Sequence, residues 1–217
     1  MPLKLNVPYA DKELAKSKGA FWDAEEKTWY VPDHRNINDF LTWFDTDKID
    51  TILKTPFYMA SNKRSCWKCK KKITVLALYS DNFYYLDEEG SDNEESVFEK
   101  AELKSFFSHV FYIDENFASF VRQQFPDFKL GFSKTVNGEY WANHCEFCHA
   151  LQGDHFNHES PGGAFFPVTD EECENITLIQ IPFKFDVGIT GSYSDFSNQD
   201  RAFERAKKKL WHYGFKL

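Results

Sequence analysis

Two pairs of cysteines, Cys66-Trp67-Lys68-Cys69 and Cys145-Glu146-Phe147-Cys148, carry the chemistry most directly legible in this chain. Two Cys-x2-Cys pairs can close a tetrahedral four-thiolate shell round one Zn²⁺, and a shell with no open position is structural rather than catalytic. One structural zinc on Cys66, Cys69, Cys145 and Cys148 is therefore expected. The 75 residues between the pairs far exceed the roughly 15–20 of a contiguous zinc ribbon. That spacing implies a ribbon split by an inserted subdomain. A single Cys-x2-Cys can be a redox motif, but two pairs with basic neighbours favour metal. Cys173, the fifth cysteine, is read as a free thiol in a reducing compartment.

Lys63, Arg64, Lys68, Lys70, Lys71 and Lys72 place six positive charges in ten residues round the first pair. A zinc bound by four thiolates carries a net charge of about −2 and draws cations and N–H donors toward it. The same cluster could instead grip phosphates. Downstream, His144, His149, His155 and His158 crowd the second pair. His149 stands where a ribbon usually has glycine, so it is a candidate replacement ligand. Asp154, His155, His158 and Glu159 could form an N/O shell with an open position, as hydrolytic metals need, yet there is no His-Glu-x-x-His. No nucleophile with its base, paired-carboxylate motif, P-loop or dinucleotide fingerprint occurs, so no catalytic residue is assigned and a non-enzyme is expected.

The elements that must position these residues begin with a unit over residues 1–45. Leu3 to Val7 alternates like a strand, Asp11 is placed to cap a helix from Lys12 to Lys18, and Gly19 stops it. Ala20-Phe21-Trp22 and Thr28-Trp29-Tyr30-Val31 read as a hairpin. Asn36 can cap a helix with Ile37, Phe40, Leu41 and Phe44 on one face. The segment Asn6-Val7-Pro8-Tyr9, Asp11-Lys12, Ala15-Lys16, Gly19-Ala20-Phe21-Trp22-Asp23 and Lys27-Thr28-Trp29-Tyr30-Val31-Pro32 resembles a small bacterial domain of unknown function. Such domains stand at the front of bacterial and plasmid proteins, some with primase-like or other DNA-processing modules. The resemblance implies no catalytic residues. Trp22, Trp29 and Tyr30 read first as packing in a tiny core, with a base-stacking or peptide-binding platform as the alternative.

Residues 46–217 are expected to form the zinc-ribbon domain, with a helical, acidic insertion at about 80–135. Residues 45–62 read as a connecting helix or turn, and Ile73 to Tyr79 as a strand. Asp81 to Glu102 holds nine acids against one lysine. Glu88, Glu89, Glu94 and Glu95 lie in its densest part, a surface loop or an arm for a basic partner. Leu103, Phe106, Phe107, Val110 and Phe111 make one helical stripe, and Phe117, Phe120, Val121 and Phe125 a second, closed by Pro126. Tyr140 to His144 reads as a strand entering the second cysteine pair. From there to Phe165-Phe166-Pro167 the chain, including Gln152-Gly153-Asp154, is similar to the second knuckle of zinc-ribbon segments in uncharacterised bacterial proteins. Ile176 to Ile181 and Phe183 to Val187 read as strands. Ser197 with Asp200 forms a capping box for a final helix, Arg201 to Trp211. The expected class is thus α+β: a strand, helix, hairpin and helix, then a zinc-ribbon core with its insertion and a C-terminal helix.

Composition bounds the function. With 42% hydrophobic residues and 23 phenylalanines in 217 residues, the chain can bury an ample core. It lacks the roughly 18-residue apolar run of a spanning helix and a recognisable secretory leader, so a cytoplasmic protein with no membrane partner is expected. A net charge of −8 argues against nucleic acid unless the cations gather on one face. The first expectation is a zinc-stabilised protein-interaction module, such as an immunity- or inhibitor-type partner of a basic toxin or nuclease. The alternative is a nucleic-acid accessory of a plasmid or DNA-processing system. Candidate contact residues are Trp22, Trp29, Tyr30, Lys68, Lys70, Lys71 and Lys72, with Glu88, Glu89, Glu94 and Glu95.

Overall fold

The computed structural model describes residues 2–87, 97–194 and 198–212. Its first strands are β1 (Leu3–Leu5), β2 (Phe21–Asp23) and β3 (Thr28–Val31), an antiparallel sheet in the order β1-β3-β2. Helix α1 (Lys12–Lys18) ends at Gly19, whose φ of 98° is the left-handed conformation glycine adopts freely. Asp11 precedes the helix but makes no cap; its carboxylate accepts the indole N–H of Trp43 at 3.1 Å. Asn36 does cap, accepting from the Asn38 N–H, yet the element over Ile37–Trp43 is 3-10 rather than α. Its buried residues are Ile37, Phe40 and Trp43. Their spacing of three matches a three-residue turn; Trp43 joins the inward face, and Leu41 and Phe44 pack partly buried against the same clusters.

Of the expected connecting helix or turn over 45–62, only a turn at residues 46–48 is present, and strands follow: β4 (Thr51–Leu53) and β5 (Phe57–Ser65). Next come β6 (Lys72–Ser80), β7 (Phe83–Asp87), β8 (Val97–Lys100), β9 (Ser105–Ile113), α2 (Glu115–Gln124), β10 (Phe128–Ser133), β11 (Gly138–His144) and β12 (Leu151–Gln152). The chain closes with α3 (Asp170–Glu174), β13 (Thr177–Ile181), β14 (Val187–Ser192), α4 (Asn198–Arg205) and β15 (Lys207–Leu210). One sheet runs β15-β13-β5-β6-β9-β14-β4-β7-β8, and β10-β11-β12 branches from it through β11 on β9. Strands β13 and β15 are parallel. The expected helical insertion is therefore mostly strand, and those strands belong to the same sheet that carries the cysteine pairs. The class is α+β, dominated by sheet.

Both faces of this sheet are covered. Along β5 and β6, Phe57, Met59, Leu76 and Leu78 face a core with α2, while Tyr58, Ala60, Ile73, Val75, Ala77 and Tyr79 face the opposite one with α3 and α4. Strand β9 shows why a helix was read there. Phe106 and Phe107 are consecutive yet both buried, one in each core, and His109 has φ of 46° where β9 and β14 shift register. That bulge turns the two-residue period into three, so Phe107, Val110 and Ile113 share one core and imitate helical spacing. The second stripe is a helix as read: α2 buries Phe117 and Val121. The final helix is shorter than read, ending at Arg205, and Lys207–Leu210 pairs with β13 instead. Ser197, and with it the proposed capping box, lies outside the described residues.

The N-terminal unit packs on the far edge of the sheet. Leu3 and Ile37 join Ile52 and Phe98 in one apolar cluster. Asn38 imitates a strand at β8, donating to the Phe98 carbonyl at 3.0 Å and accepting its N–H at 2.8 Å. Lys54 joins Asp33 of the unit, at 2.7 Å, to the buried Asp186 of the sheet. No described helix is long and apolar enough to cross a membrane.

Candidate metal centre

Each cysteine pair forms the turn of a β-hairpin. Strand β5 leads into Cys66–Cys69 and β6 leaves it; β11 and β12 do the same for Cys145–Cys148. The two turns share one backbone plan. Cys66 N–H donates to the Lys71 carbonyl at 2.8 Å and Lys70 N–H to the Cys66 carbonyl at 3.0 Å. Cys145 N–H donates to Ala150 at 3.0 Å and His149 N–H to Cys145 at 2.8 Å. Lys70 and His149 occupy equivalent left-handed positions, with φ of 62° and 56°. His149 thus fills glycine's conformational role, and the ligand cluster contains cysteines alone.

The four Sγ atoms lie within 4.8 Å of one another. Cys66 to Cys148 is 3.7 Å and Cys69 to Cys145 is 3.6 Å. A tetrahedron with Zn–S bonds of about 2.3 Å has sulfur–sulfur edges of about 3.8 Å, whereas a disulfide holds its sulfurs at about 2.05 Å. The residues therefore fit a metal ion such as zinc. Cys66 and Cys145 are fully buried. Burial raises the Cys66 thiol, but N–H donors of Cys69 and Lys68 and the neighbouring thiols outweigh it and bring the pKa down to about 6. At Cys148 the Ala150 N–H lowers the pKa, yet burial and the other three sulfurs push it up to about 11. Cys66 thus ionises readily while Cys148 resists. A divalent cation removes that obstacle.

Side chains that sequence reasoning left without a role brace the two hairpins. Asn143, on β11, accepts the Leu76 N–H at 2.7 Å and donates to its carbonyl at 2.8 Å, standing in for a neighbouring strand on β6. Gln152 donates to the Cys66 sulfur at 3.4 Å and to the Ala150 carbonyl at 2.7 Å, and accepts the Trp67 N–H at 3.3 Å. The Trp67 indole donates to the Leu151 carbonyl at 2.7 Å. A polar residue in the apolar run Tyr140-Trp141-Ala142-Asn143 was the available signal, because a buried amide must find partners.

The remaining candidates fall in separate places. Lys68, Lys70, Lys71 and Lys72 are exposed at the first turn; Lys70 reaches the Trp67 carbonyl at 2.7 Å and Lys71 lies 4.3 Å over the Phe147 ring. Among the described residues no carboxylate forms an ion pair with any of them, or with Lys63 or Arg64. The arginines of α4 are different: Arg201 and Arg205 pair with Asp170, and Arg205 also with Glu174. Trp29 is buried in the N-terminal core, Trp22 is half exposed with its ring 5.6 Å from Trp29, and Tyr30 lies between Phe21 and Phe185. Glu88, Glu89, Glu94 and Glu95 lie outside the described residues.

The histidine-rich stretch does not assemble the expected N/O shell. Among the described residues only the four cysteines converge as metal ligands. Residues His155–Glu159 form one π turn that leaves His155 exposed, 2.7 Å from Glu159, and buries His158 against Phe165. Burial holds the His158 imidazole down to about 3. Asp154, also buried, accepts the His109 N–H at 2.7 Å, and burial raises its carboxyl to about 7.

Fold and site together define a small N-terminal α+β module ahead of a mostly-sheet body pinned by a four-cysteine centre. Residues 3–45 match the family model described as a domain of unknown function, DUF5710. The chain is also 46% identical over 39 residues to the DNA primase TraC of Escherichia coli, covering 18% of this chain and 3% of that protein. The resemblance read from residues 6–32 therefore holds. No solved structure matches the chain.

Proposed function

We propose that this chain is a non-catalytic, zinc-stabilised accessory of a DNA-processing system and binds nucleic acid at the tip formed by its two cysteine turns. The observation that carries this reading is the cluster of six cations round the first turn, none ion-paired to a described carboxylate. A four-thiolate zinc offsets about two of those charges and Glu146, the one carboxylate on either turn, offsets another. The remaining positive charge stands out on a chain of net charge −8 and suits phosphates. The N-terminal module adds context, since a DNA primase carries a similar segment. The protein-partner reading, the first expectation, draws on Glu88, Glu89, Glu94 and Glu95, which lie outside the described residues, and on the half-exposed Phe21 and Trp22 beside Asp23, Glu25 and Glu26. The cations of the first turn, unpaired among the described residues, favour nucleic acid over it.

The test is binding of the zinc-loaded chain to labelled nucleic acid across a salt series. Affinity should fall by about 0.7–0.9 powers of salt concentration per phosphate neutralised. Lys70→Gln and Lys72→Gln should each reduce that slope by about one contact. Absence of binding at low salt, or binding insensitive to salt, would refute the reading.

A further inference from the structure

We infer that the tip is a stacking platform for a single strand of nucleic acid, with Trp67 and Phe147 as the base-stacking residues; this rests on the nucleic-acid reading above. Trp67 is 56% and Phe147 49% exposed, although both lie inside the tight turns of the metal centre. Neither ring is needed to fill a core. The cysteine sulfurs of their two turns approach to 3.6–3.7 Å, so both rings belong to one tip. The Trp67 indole is already held by its bond to Leu151, which removes much of the ordering cost a ligand would otherwise bear.

The surroundings select the ligand class. Lys71 stands 4.3 Å over the Phe147 ring, and the other cations of the turn flank it in sequence. Rings interleaved with cations suit unpaired bases on a phosphate backbone. A duplex hides its base faces and would meet only the lysines. Next to the first turn, Lys63, Arg64 and Ser65 line a cleft of about 320 Å³ that also includes Glu172, with Phe156 on its wall, itself 60% exposed. The exposed rings Phe21 and Trp22 lack this setting, since they neighbour Asp23, Glu25 and Glu26.

The experiment compares a short fluorescein-labelled oligothymidylate with a hairpin duplex of equal phosphate count, using fluorescence anisotropy on the full, zinc-loaded chain. The single strand should bind roughly ten-fold tighter or more. Trp67→Ala and Phe147→Ala should each weaken it by roughly ten-fold with the salt slope unchanged, and Trp67→Phe should retain most of the affinity. Phe147 has no side-chain hydrogen bond to lose, so its variant reports stacking even if Trp67→Ala disturbs the turn; zinc content is measured for each. Equal affinity for strand and duplex, with Phe147→Ala unchanged, would overturn the platform while leaving phosphate binding in place. Failure of both ligands to bind would overturn the proposed function itself.

Discussion

Asp154 and His158 make the stability of this fold respond to pH in opposite senses, so removing either should unmask the other. Burial raises the Asp154 carboxyl from 3.8 to about 7, so between those values the folded chain holds a proton that the unfolded chain has released. Stability then falls with rising pH, by about 1.4 kcal/mol per unit. Burial lowers His158 from 6.5 to about 3, so in that window the unfolded chain holds the extra proton and stability rises with pH at the same rate. From about pH 4 to 6.5 the two nearly cancel. Asp154→Asn keeps an acceptor for the His109 N–H and leaves the His158 slope exposed. His158→Gln leaves the Asp154 slope. Urea unfolding of zinc-saturated protein, followed by tryptophan fluorescence, should show Asp154→Asn gaining about 1.4 kcal/mol on its parent from about pH 5 to pH 6, and His158→Gln losing about as much. Subtracting the parent cancels proton linkage at the cysteines and at every other shared group. Variants that both track the parent would show that neither group is perturbed by burial.

The metal centre and its braces give further expectations. Cys66→Ser should reduce zinc, measured by elemental analysis, from one ion per chain to well below one, with a lowered melting temperature; unchanged zinc content would exclude the four-thiolate site. Asn143→Leu strands the Leu76 N–H and carbonyl inside the protein and should cost about 2–6 kcal/mol in denaturant unfolding, at about 1–3 per buried group. Lys70→Gly or His149→Gly relieves a left-handed non-glycine backbone and should stabilise the zinc-bound chain by about 0.5–1 kcal/mol after glycine's entropic cost, read from the shift in urea midpoint. Lys54→Met removes the ion pair that Lys54 makes with the buried Asp186 and should destabilise, by up to about 3–5 kcal/mol, in the same assay.

Local signals were legible in the residues wherever one interaction decided the structure. Gly19 ends α1, Asn36 caps its turn, and Cys66, Cys69, Cys145 and Cys148 converge, because each is settled by a conformation or valence that few residue types satisfy. Signals that depend on what covers a strand were not. Phe106 and Phe107 are both inward because helices lie on both faces of the sheet, which no pattern along β9 can declare. The bulge at His109 then converts strand spacing into helical spacing. Lys207–Leu210 is a strand because the edge of β13 offers it partners, although its four side chains are exposed. Gln152 was visible as a motif, but its role as a link to the Cys66 sulfur depends on a hairpin 86 residues away in sequence.

The spacing between the cysteine pairs acquires a physical explanation from this topology. The intervening residues supply β7, β8, β9, α2 and β10, strands and a helix of the body itself, so the metal ligands sit on hairpin tips that the sheet brings together. Along β11, register with β9 is limited to Trp141 opposite Val110, and β12 is two residues long. The branch β10-β11-β12 is therefore held to β5 and β6 by Asn143, Gln152, the Trp67 indole and the four cysteines more than by a continuous ladder. A metal bridging the two tips acts as a clasp on that branch: it fixes the relative position of Trp67 and Phe147. Cys66 and Cys145 share one apolar cluster with Ala60, Ile73, Val75 and Leu178, so loss of the ion would loosen the branch and also remove contacts at the cysteine end of β5 and β6. Metal binding and any ligand grip at the tip would thus be coupled through this branch.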